Sequence, residues 1–318
     1  MTNQLQFNFG LDYNKYQAKP FLKWAGGKSQ LLIEIAKRLP PDFKNSMYTY
    51  IEPFVGSGAV LFWLLSNYPQ IKKAIINDIN SDLINTYRVI SLHPTELIEI
   101  LKIFQNEYHD REINQEKKVE YYYQKRQLYN SHKNDDITQA ALFIFLNRTC
   151  FNGLYRVNKD NNFNVPIGSY KKPKICDSEN IMNVSKVLQK VEILIGDYKA
   201  TLDYADNYTF FYFDPPYKPL NSSSSFNSYT KDDFNDEQQI RLKHFCDKLD
   251  KLQYKWMLSN SDVKGVDESN NFFDDLYSEF QIDRIKAKRS INSNATKRGE
   301  IDELLITNYK HESALQIA

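Results

Sequence analysis

The chain has 318 residues, 42% hydrophobic and 25% charged, with 41 Lys+Arg against 40 Asp+Glu for a formal net charge of +1. That length suits about two domains, and the composition excludes fibrous and wholly disordered chains. A charge of +1 also excludes a protein that binds nucleic acid by being basic all over, but not one whose positive charge is local.

In chain order, residues 1–19 read as a polar, unpatterned extension without the apolar run of a signal peptide. No stretch approaches the ~18 consecutive apolar residues of a membrane span. The three cysteines, Cys150, Cys176 and Cys246, include no CxxC pair, so neither a metal site nor a disulfide framework is expected. A reducing, cytoplasmic setting follows.

Short apolar, β-branched or aromatic runs predict strands at Tyr48–Ile51, Ala74–Ile76, Val191–Ile195, Thr209–Phe213, Tyr254–Leu258, Phe280–Ile285 and Glu303–Thr307. Helical periodicity predicts helices over Gly58–Asn67, Asn80–Leu92 and Glu237–Leu249. This alternation implies an α/β fold whose mostly parallel sheet is covered on both faces. Between residues 93 and 177 it gives way to three helices and then a polar stretch with Gly153, Pro166, Gly168 and Pro173, which reads as an inserted domain. Residues 20–92 and 178–310 would then form one discontinuous domain around it. Ser222 to Ser225 lie in a polar segment expected to be a mobile loop.

Three motifs carry chemistry. In "YIEPFVGSGAVLFWLL" a strand runs into Phe54, Gly56 and Gly58 and then opens a helix, where glycines let the backbone approach a ligand at the positive end of the helix dipole. Asp78 ends the next strand, where a doubly wound fold places a carboxylate for ribose hydroxyls. The third glycine of a dinucleotide fingerprint is absent, since position 61 is Leu61, which disfavours NAD and leaves other adenosine-bearing cofactors. Upstream, "FLKWAGGK" sets Trp24 and Lys28 about a glycine pair, suited to an adenosine ring and a carboxylate.

The strongest motif is "TFFYFDPPY": a strand ends in Asp214, Pro215, Pro216 and Tyr217. The prolines fix the backbone and remove donors, so the Pro215 carbonyl and the Asp214 carboxylate form two rigid acceptors beside a flat ring. That set suits a planar group bearing NH2. Gripping both N–H bonds frees the nitrogen lone pair and favours the positive charge that develops as it attacks a methyl sulfonium.

The hairpin-like stretch from Cys150 to Lys174 carries Arg156, Lys159, Lys171, Lys172 and Lys174 against the single Asp160. Arg reads guanine bidentately, whereas Lys pairs contact phosphate. A second stretch, Arg284 to Gly299, holds six Lys+Arg and no acid, and suits phosphate clamping. The cluster "EYYYQKR", Glu120 to Arg126, is expected to be core and surface rather than a base-stacking platform.

Together, "FLKWAGGK", "EPFVGSG", the acid of "NDIN", an inserted segment and "DPPY" resemble, over about Pro20 to Tyr309, the Dam-type (D12 class, α group) DNA N6-adenine methyltransferases. The resemblance implies a Rossmann-like sheet of about seven strands with a mostly helical target-recognition domain at 93–177, its hairpin near 150–174. It implies S-adenosyl-L-methionine as cofactor, touched by Trp24, Lys28, Phe54, Gly56, Gly58, Asp78, Asp197 and Asp214. It implies catalysis by Asp214, Pro215, Pro216 and Tyr217 on an adenine flipped from duplex DNA, in GATC sites. Phe151 and Asn152 would sit at the flipping site, Arg156 would read guanine, and Leu154 and Pro166 would meet thymine. Tyr170, Lys171 and Lys172 would hold bases and backbone. Phe151 departs from the family's usual Tyr. A bacterial or phage-type monomer acting on the nucleoid is implied, with a companion restriction endonuclease acting on the same site without stable binding. Two alternatives stay open on the residues: an inactive DNA-binding regulator on the same scaffold, and an RNA or protein N-methyltransferase.

Overall fold

A computed structural model describes residues 18–24, 26, 28–110, 115–218, 234–265, 267–288 and 300–311. The N-terminal extension before residue 18, the serine-rich loop and the second basic stretch beyond residue 288 lie outside the described residues.

Two short helices, α1 (Leu32–Lys37) and α2 (Phe43–Ser46), lead into strand β1 (Thr49–Glu52). There follow α3 (Ala59–Asn67), β2 (Lys73–Asp78), α4 (Ser81–Leu92), α5 (Pro94–His109), α6 (Gln115–Asn130), α7 (Asp136–Thr149) and α8 (Ser178–Leu188). Then come β3 (Val191–Ile195), β4 (Thr209–Phe213), α9 (Asp236–Lys251), β5 (Lys255–Ser261), α10 (Phe272–Leu276), β6 (Gln281–Lys288) and β7 (Glu300–Thr307). All seven expected strands form, each within a few residues of its expected bounds.

They make one seven-stranded sheet in the order β3-β2-β1-β4-β5-β7-β6. β3, β2, β1, β4 and β5 run parallel, and β7 runs antiparallel to both β5 and β6. The connections from β1 and from β4 leave in opposite directions, so the crevice for a ligand lies where the carboxyl ends of β1 and β4 meet. Thr49 pairs with both Lys73 and Thr209, which aligns the three central strands so that their motif-bearing ends lie side by side.

β4 is buried at all five positions. Its period-2 geometry divides those residues between two cores. Phe210 and Tyr212 join Tyr50, Ile76 and the helices of the 93–177 segment. Phe211 and Phe213 join Ile51, Leu258 and α9. This is why "TFFYF" carries no polar alternation: a central parallel strand is covered on both faces.

α7 is apolar nearly all round, with every residue from Ala140 to Asn147 buried, because it packs against α4, α5 and α6 together. Leu97, Phe104, Tyr122 and Phe145 belong to the same core as Tyr50 and Ile76, so the inserted helices share the sheet's core. Asn80 and Asp135 cap α4 and α7 by accepting from Leu83 N (3.0 Å) and Thr138 N (2.9 Å). All three cysteines are free and buried, and burial pushes the Cys150 thiol up to about 12. Among the described residues no helix is long and apolar enough to cross a membrane, and no group of His, Cys, Asp or Glu could hold a metal ion.

One expectation needs correction. Arg284 opens the second basic stretch, yet its guanidinium is bonded to Asp262 (2.9 Å) and Asp274 (2.7 Å). It belongs to an ion-pair set within the fold, so it is not placed to clamp phosphate.

Gly58, the residue before α3, has φ of +72°, and a Cβ there would lie 2.5 Å from the Tyr87 hydroxyl and 2.9 Å from Phe62. Gly58→Ala therefore combines left-handed strain with a clash. We expect it to lower unfolding stability by roughly 1–3 kcal/mol, read as a lower midpoint in thermal or urea unfolding.

Candidate active site at the carboxyl ends of the central strands

Glu52 ends β1, and the chain turns through residues 53–58 before α3 begins. Gly56 has φ of +48°, and a Cβ on it would press on the Trp24 indole at 3.1 Å, so the ring lies directly over the glycine turn. Trp24 also stacks on Tyr155 at 5.7 Å. Asp78, at the end of β2, accepts from Gly56 N (3.1 Å) and Asn80 N (3.0 Å), and Tyr87 donates to Gly56 O (3.0 Å). The turn is thus locked from both sides. Burial pushes the Asp78 carboxyl above its ordinary value, and the backbone donors oppose this.

Beside Asp78, Asn77 donates to Pro53 O and Gly196 O (3.1 and 3.0 Å), while its own buried Oδ1 has no partner. Ile79 and Ile195 leave 62% and 47% of their surface exposed at this edge. Phe54 packs on Tyr198 and Phe234. Asp197 is exposed, pairs with Arg241 at 2.5 Å and accepts from Lys199 N.

On the β4 side, Lys28 is buried and reaches Asp214 Oδ1 at 2.9 Å and Gly26 O at 2.7 Å, and its ammonium lies 4.3 Å from the Tyr217 ring centre. Tyr212 donates to Ser259 Oγ (3.1 Å), which stands 3.1 Å from Asp214 Oδ1. Gln239 Nε2 donates to the Pro216 carbonyl at 3.1 Å, Asn260 donates to Gln239, and Lys218 N donates to Asn260. The Asp-Pro-Pro-Tyr turn is therefore braced on both sides of the Pro215 carbonyl. Burial raises the Asp214 carboxyl above its ordinary value, and Lys28 opposes this. The Tyr217 phenol is pushed well up by burial and by Asp214, and remains a donor.

Glu52 is a site residue the motif reading passed over. It is buried, accepts from the Tyr50 hydroxyl at 2.8 Å, and is held well above the usual carboxylate range by burial, with the nearby Asp214 adding to the rise. Its signal was present in the sequence: an acid ending the strand just before the glycine turn. Glu52 lies close enough to Asp214 and Asp78 for both to add to its rise, and of the three acids Asp214 is the one paired with Lys28, so the carboxyls gathered here suit a cationic ligand group.

The hairpin begins where α7 ends. Bridges join Cys150 to Ile167 and Val157 to Phe163. Tyr155, Phe163 and Val165 face inward and are buried, while Arg156 and Pro166 face outward and are exposed. Tyr122, Arg126 and Asn130, on one face of α6 at i, i+4 and i+8, grip this strand. Tyr122 and Arg126 donate to Val165 O, and Asn130 exchanges hydrogen bonds with the Phe163 backbone. Of the tyrosine cluster of α6, Tyr122 backs the hairpin, Tyr121 packs on Phe145 and Tyr123 is exposed. Arg156 Nε donates to Asn164 Oδ1 at 2.7 Å. Phe151 is 45% exposed, and Asn152 takes φ of +55°. Leu154 is half-buried, and Lys171 and Lys172 are exposed.

The hairpin and the cofactor-side loop meet. Buried Asn147 accepts from Lys23 N (2.8 Å) and donates to Lys23 O (2.7 Å) and Gly153 O (3.0 Å). Lys23 also lies 3.8 Å over the Tyr170 ring. The structure so brings together Trp24, Lys28, Gly56, Gly58, Asp78 and the Asp214–Tyr217 turn. Phe54 and Asp197 flank them, and the hairpin residues stand beside the Trp24 loop.

A sheet in this order, with an antiparallel β7, a glycine turn after β1, an acid at the end of β2 and an Asp-Pro-Pro-Tyr turn after β4, defines an α/β enzyme of the Rossmann-like methyltransferase class. Residues 24–291 match the model of the D12 class N6 adenine-specific DNA methyltransferases, and the chain belongs to that family. It is 52% identical over 297 residues to the Type II methyltransferase M.MjaIII of Methanocaldococcus jannaschii, covering 92% of this chain and 100% of the relative. It is 40% identical to the Type II methyltransferase M1.LlaDCHI of Lactococcus lactis subsp. cremoris, covering 94% and 98%. It is 35% identical to the DNA adenine methylase of Haemophilus influenzae, covering 92% and 94%. The protein is an adenine-specific DNA methyltransferase.

Asp214 accepts more strongly and offsets positive charge when ionised, and Lys28 favours that form. Lys28→Met removes the opposing charge, so the Asp214 pKa rises further. We expect the acid limb of the pH–rate profile to move toward neutral pH in this variant, beyond any loss of overall rate. An unmoved limb would show that the ion pair does not govern the ionisation.

Proposed function

We propose that the chain transfers a methyl group from S-adenosyl-L-methionine to N6 of adenine in GATC sites of duplex DNA. The single observation that carries this reading is the braced Asp-Pro-Pro-Tyr turn. It sets a carboxylate, a proline carbonyl and an aromatic ring at the switch point of the sheet, beside the glycine turn.

The residues present fit the cofactor. Trp24 over Gly56 and the exposed Ile79 and Ile195 offer flat apolar surface to an adenosine. Asp78 retains lone pairs for ribose hydroxyls, the buried Oδ1 of Asn77 awaits a donor, and Asp197 stands at the same edge. Lys28 suits the carboxylate, and the surrounding acids suit the sulfonium. When bound, the cofactor supplies an electrophilic methyl group.

The protein's own residues do the rest. The target adenine leaves the stack, because its amino group cannot be reached inside a duplex, and rests on the Tyr217 ring. Asp214 and the Pro215 carbonyl accept its two N–H bonds, hold the amine in line and offset its developing positive charge. Residues 93–177 act as the target-recognition domain. Arg156 reads guanine, Leu154 and Pro166 meet thymine, Phe151 and Asn152 stand at the flipping site, and Tyr170, Lys171 and Lys172 hold bases and phosphates. The enzyme acts as a monomer in the cytoplasm. The names of the first two relatives support a companion restriction endonuclease acting on the same site.

Purified protein with S-adenosyl-L-methionine should protect GATC sites from a methylation-sensitive nuclease and leave other sites open. Absence of both protection and labelled methyl in DNA would end the reading. Asp214→Ala should cut kcat at least ~10²–10³-fold while cofactor binding stays measurable by titration. Arg156→Ala should relax preference at guanine at a cost of about 1–3 kcal/mol. Lys171→Ala should instead weaken all duplexes alike and reduce the salt slope by about 1.

A further inference from the structure

Tyr217 and Glu303 stand 86 positions apart, yet the Tyr217 hydroxyl donates to Glu303 Oε2 at 2.8 Å. Glu303 lies on antiparallel β7, paired with Ser261 of β5. The ring of the catalytic turn is therefore tied to a strand on the far side of β5. We propose that Glu303 is a positioning residue that fixes the plane of the Tyr217 ring on which the flipped adenine rests. The inference deepens the adenine-transfer reading above and rests on it.

Pro215 and Pro216 fix the backbone of the turn, and Gln239 holds the Pro216 carbonyl. Neither restrains the two side-chain torsions of Tyr217. Those are set by what the ring touches. Its face meets the Lys28 ammonium, and its hydroxyl meets Glu303. Lys28 is shared with Asp214 and Gly26, and Ser259, also beside the phenol, is shared with Tyr212 and Asp214, which leaves Glu303 as the phenol's charged acceptor. Stacking between a base and a ring depends on their relative tilt and offset. A ring free to rotate would hold the base loosely, and its amine would stray from the Asp214 and Pro215 acceptors. Transfer would slow while DNA still bound through the hairpin. The placement of Glu303 agrees with such a role. Its neighbour Leu304 is fully buried in the core, while Glu303 is half-buried and turned toward the turn.

The test is a double-mutant cycle on the full chain. Methyl transfer to a GATC duplex is measured as kcat and KM, with cofactor affinity and thermal midpoint alongside. Glu303→Ala and Tyr217→Phe, which keeps the ring and removes its hydroxyl, should each lower kcat roughly tenfold with KM for DNA and cofactor affinity little changed. Glu303→Gln keeps an acceptor without the charge and should retain most of the rate. The double variant should lose no more than either single variant. Multiplied losses in the double variant would show that Glu303 acts apart from Tyr217 and would overturn the proposal. So would a Glu303→Gln as slow as Glu303→Ala, which would point to charge rather than orientation. Should Glu303→Ala fail to fold, Tyr217→Phe, Glu303→Gln and their combination carry the same comparison. A wild-type protein that methylates no adenine would instead refute the functional reading, and this proposal with it.

Discussion

The Lys28–Asp214 ion pair is the contact on which the site depends. Asp214 is the stronger acceptor, and offsets positive charge, when ionised, yet it stands at a strand end where burial opposes ionisation. One lysine from the N-terminal loop resolves the conflict, and it is the residue nearest both the carboxylate and the Tyr217 face. The same lysine holds the Gly26 carbonyl of its own loop, the loop whose Trp24 lies over Gly56. A single buried cation therefore governs both acceptor and ring of the Asp-Pro-Pro-Tyr turn, while Glu52 stands near Asp214 and Asp78 without pairing to the lysine.

A second constraint ties the hairpin to the loop beside the glycine turn. Asn147 ends the apolar run of α7 and spends its whole side-chain amide on Lys23 and Gly153. Trp24 stacks on Tyr155, the first inward residue of the hairpin, and Lys23 covers Tyr170. The loop beside the glycine turn and the start of the hairpin are thus one packed unit. α6 fixes the hairpin from behind through Tyr122, Arg126 and Asn130. Arg156 can then face outward from a frame whose position is set by the sheet's own core.

Much of this was legible in the chain. The strands were readable because central parallel strands are apolar at every position, as in Thr209–Phe213, and because turns with glycine or proline bound them. Asp78 and Asp214 were readable because a doubly wound sheet collects function at strand ends. Glu303 and the Gln239–Asn260 brace were not. They come from β7, α9 and β5, which carry no motif, and only the strand order brings them to the turn. Asn147 was hidden for a related reason: a polar residue in an apolar helix shows its meaning only when its partner Lys23, 124 positions away, is in place. Arg284 read as a phosphate contact because its neighbours in sequence are basic, whereas its neighbours in space are Asp262 and Asp274.

The charge balance takes on a different sense once residues are placed. The near-equality of 41 and 40 hides a segregation. Acids collect where a cationic methyl donor would bind, and exposed lysines and Arg156 collect on the hairpin, which would face phosphate. Each sign would repel the wrong ligand from its own site. A uniformly basic protein would bind DNA more tightly everywhere, but it would weaken the acidic surroundings of Asp214 and spread its affinity over every sequence. Positive charge kept on a backed hairpin would leave attraction local, salt-dependent and beside Arg156.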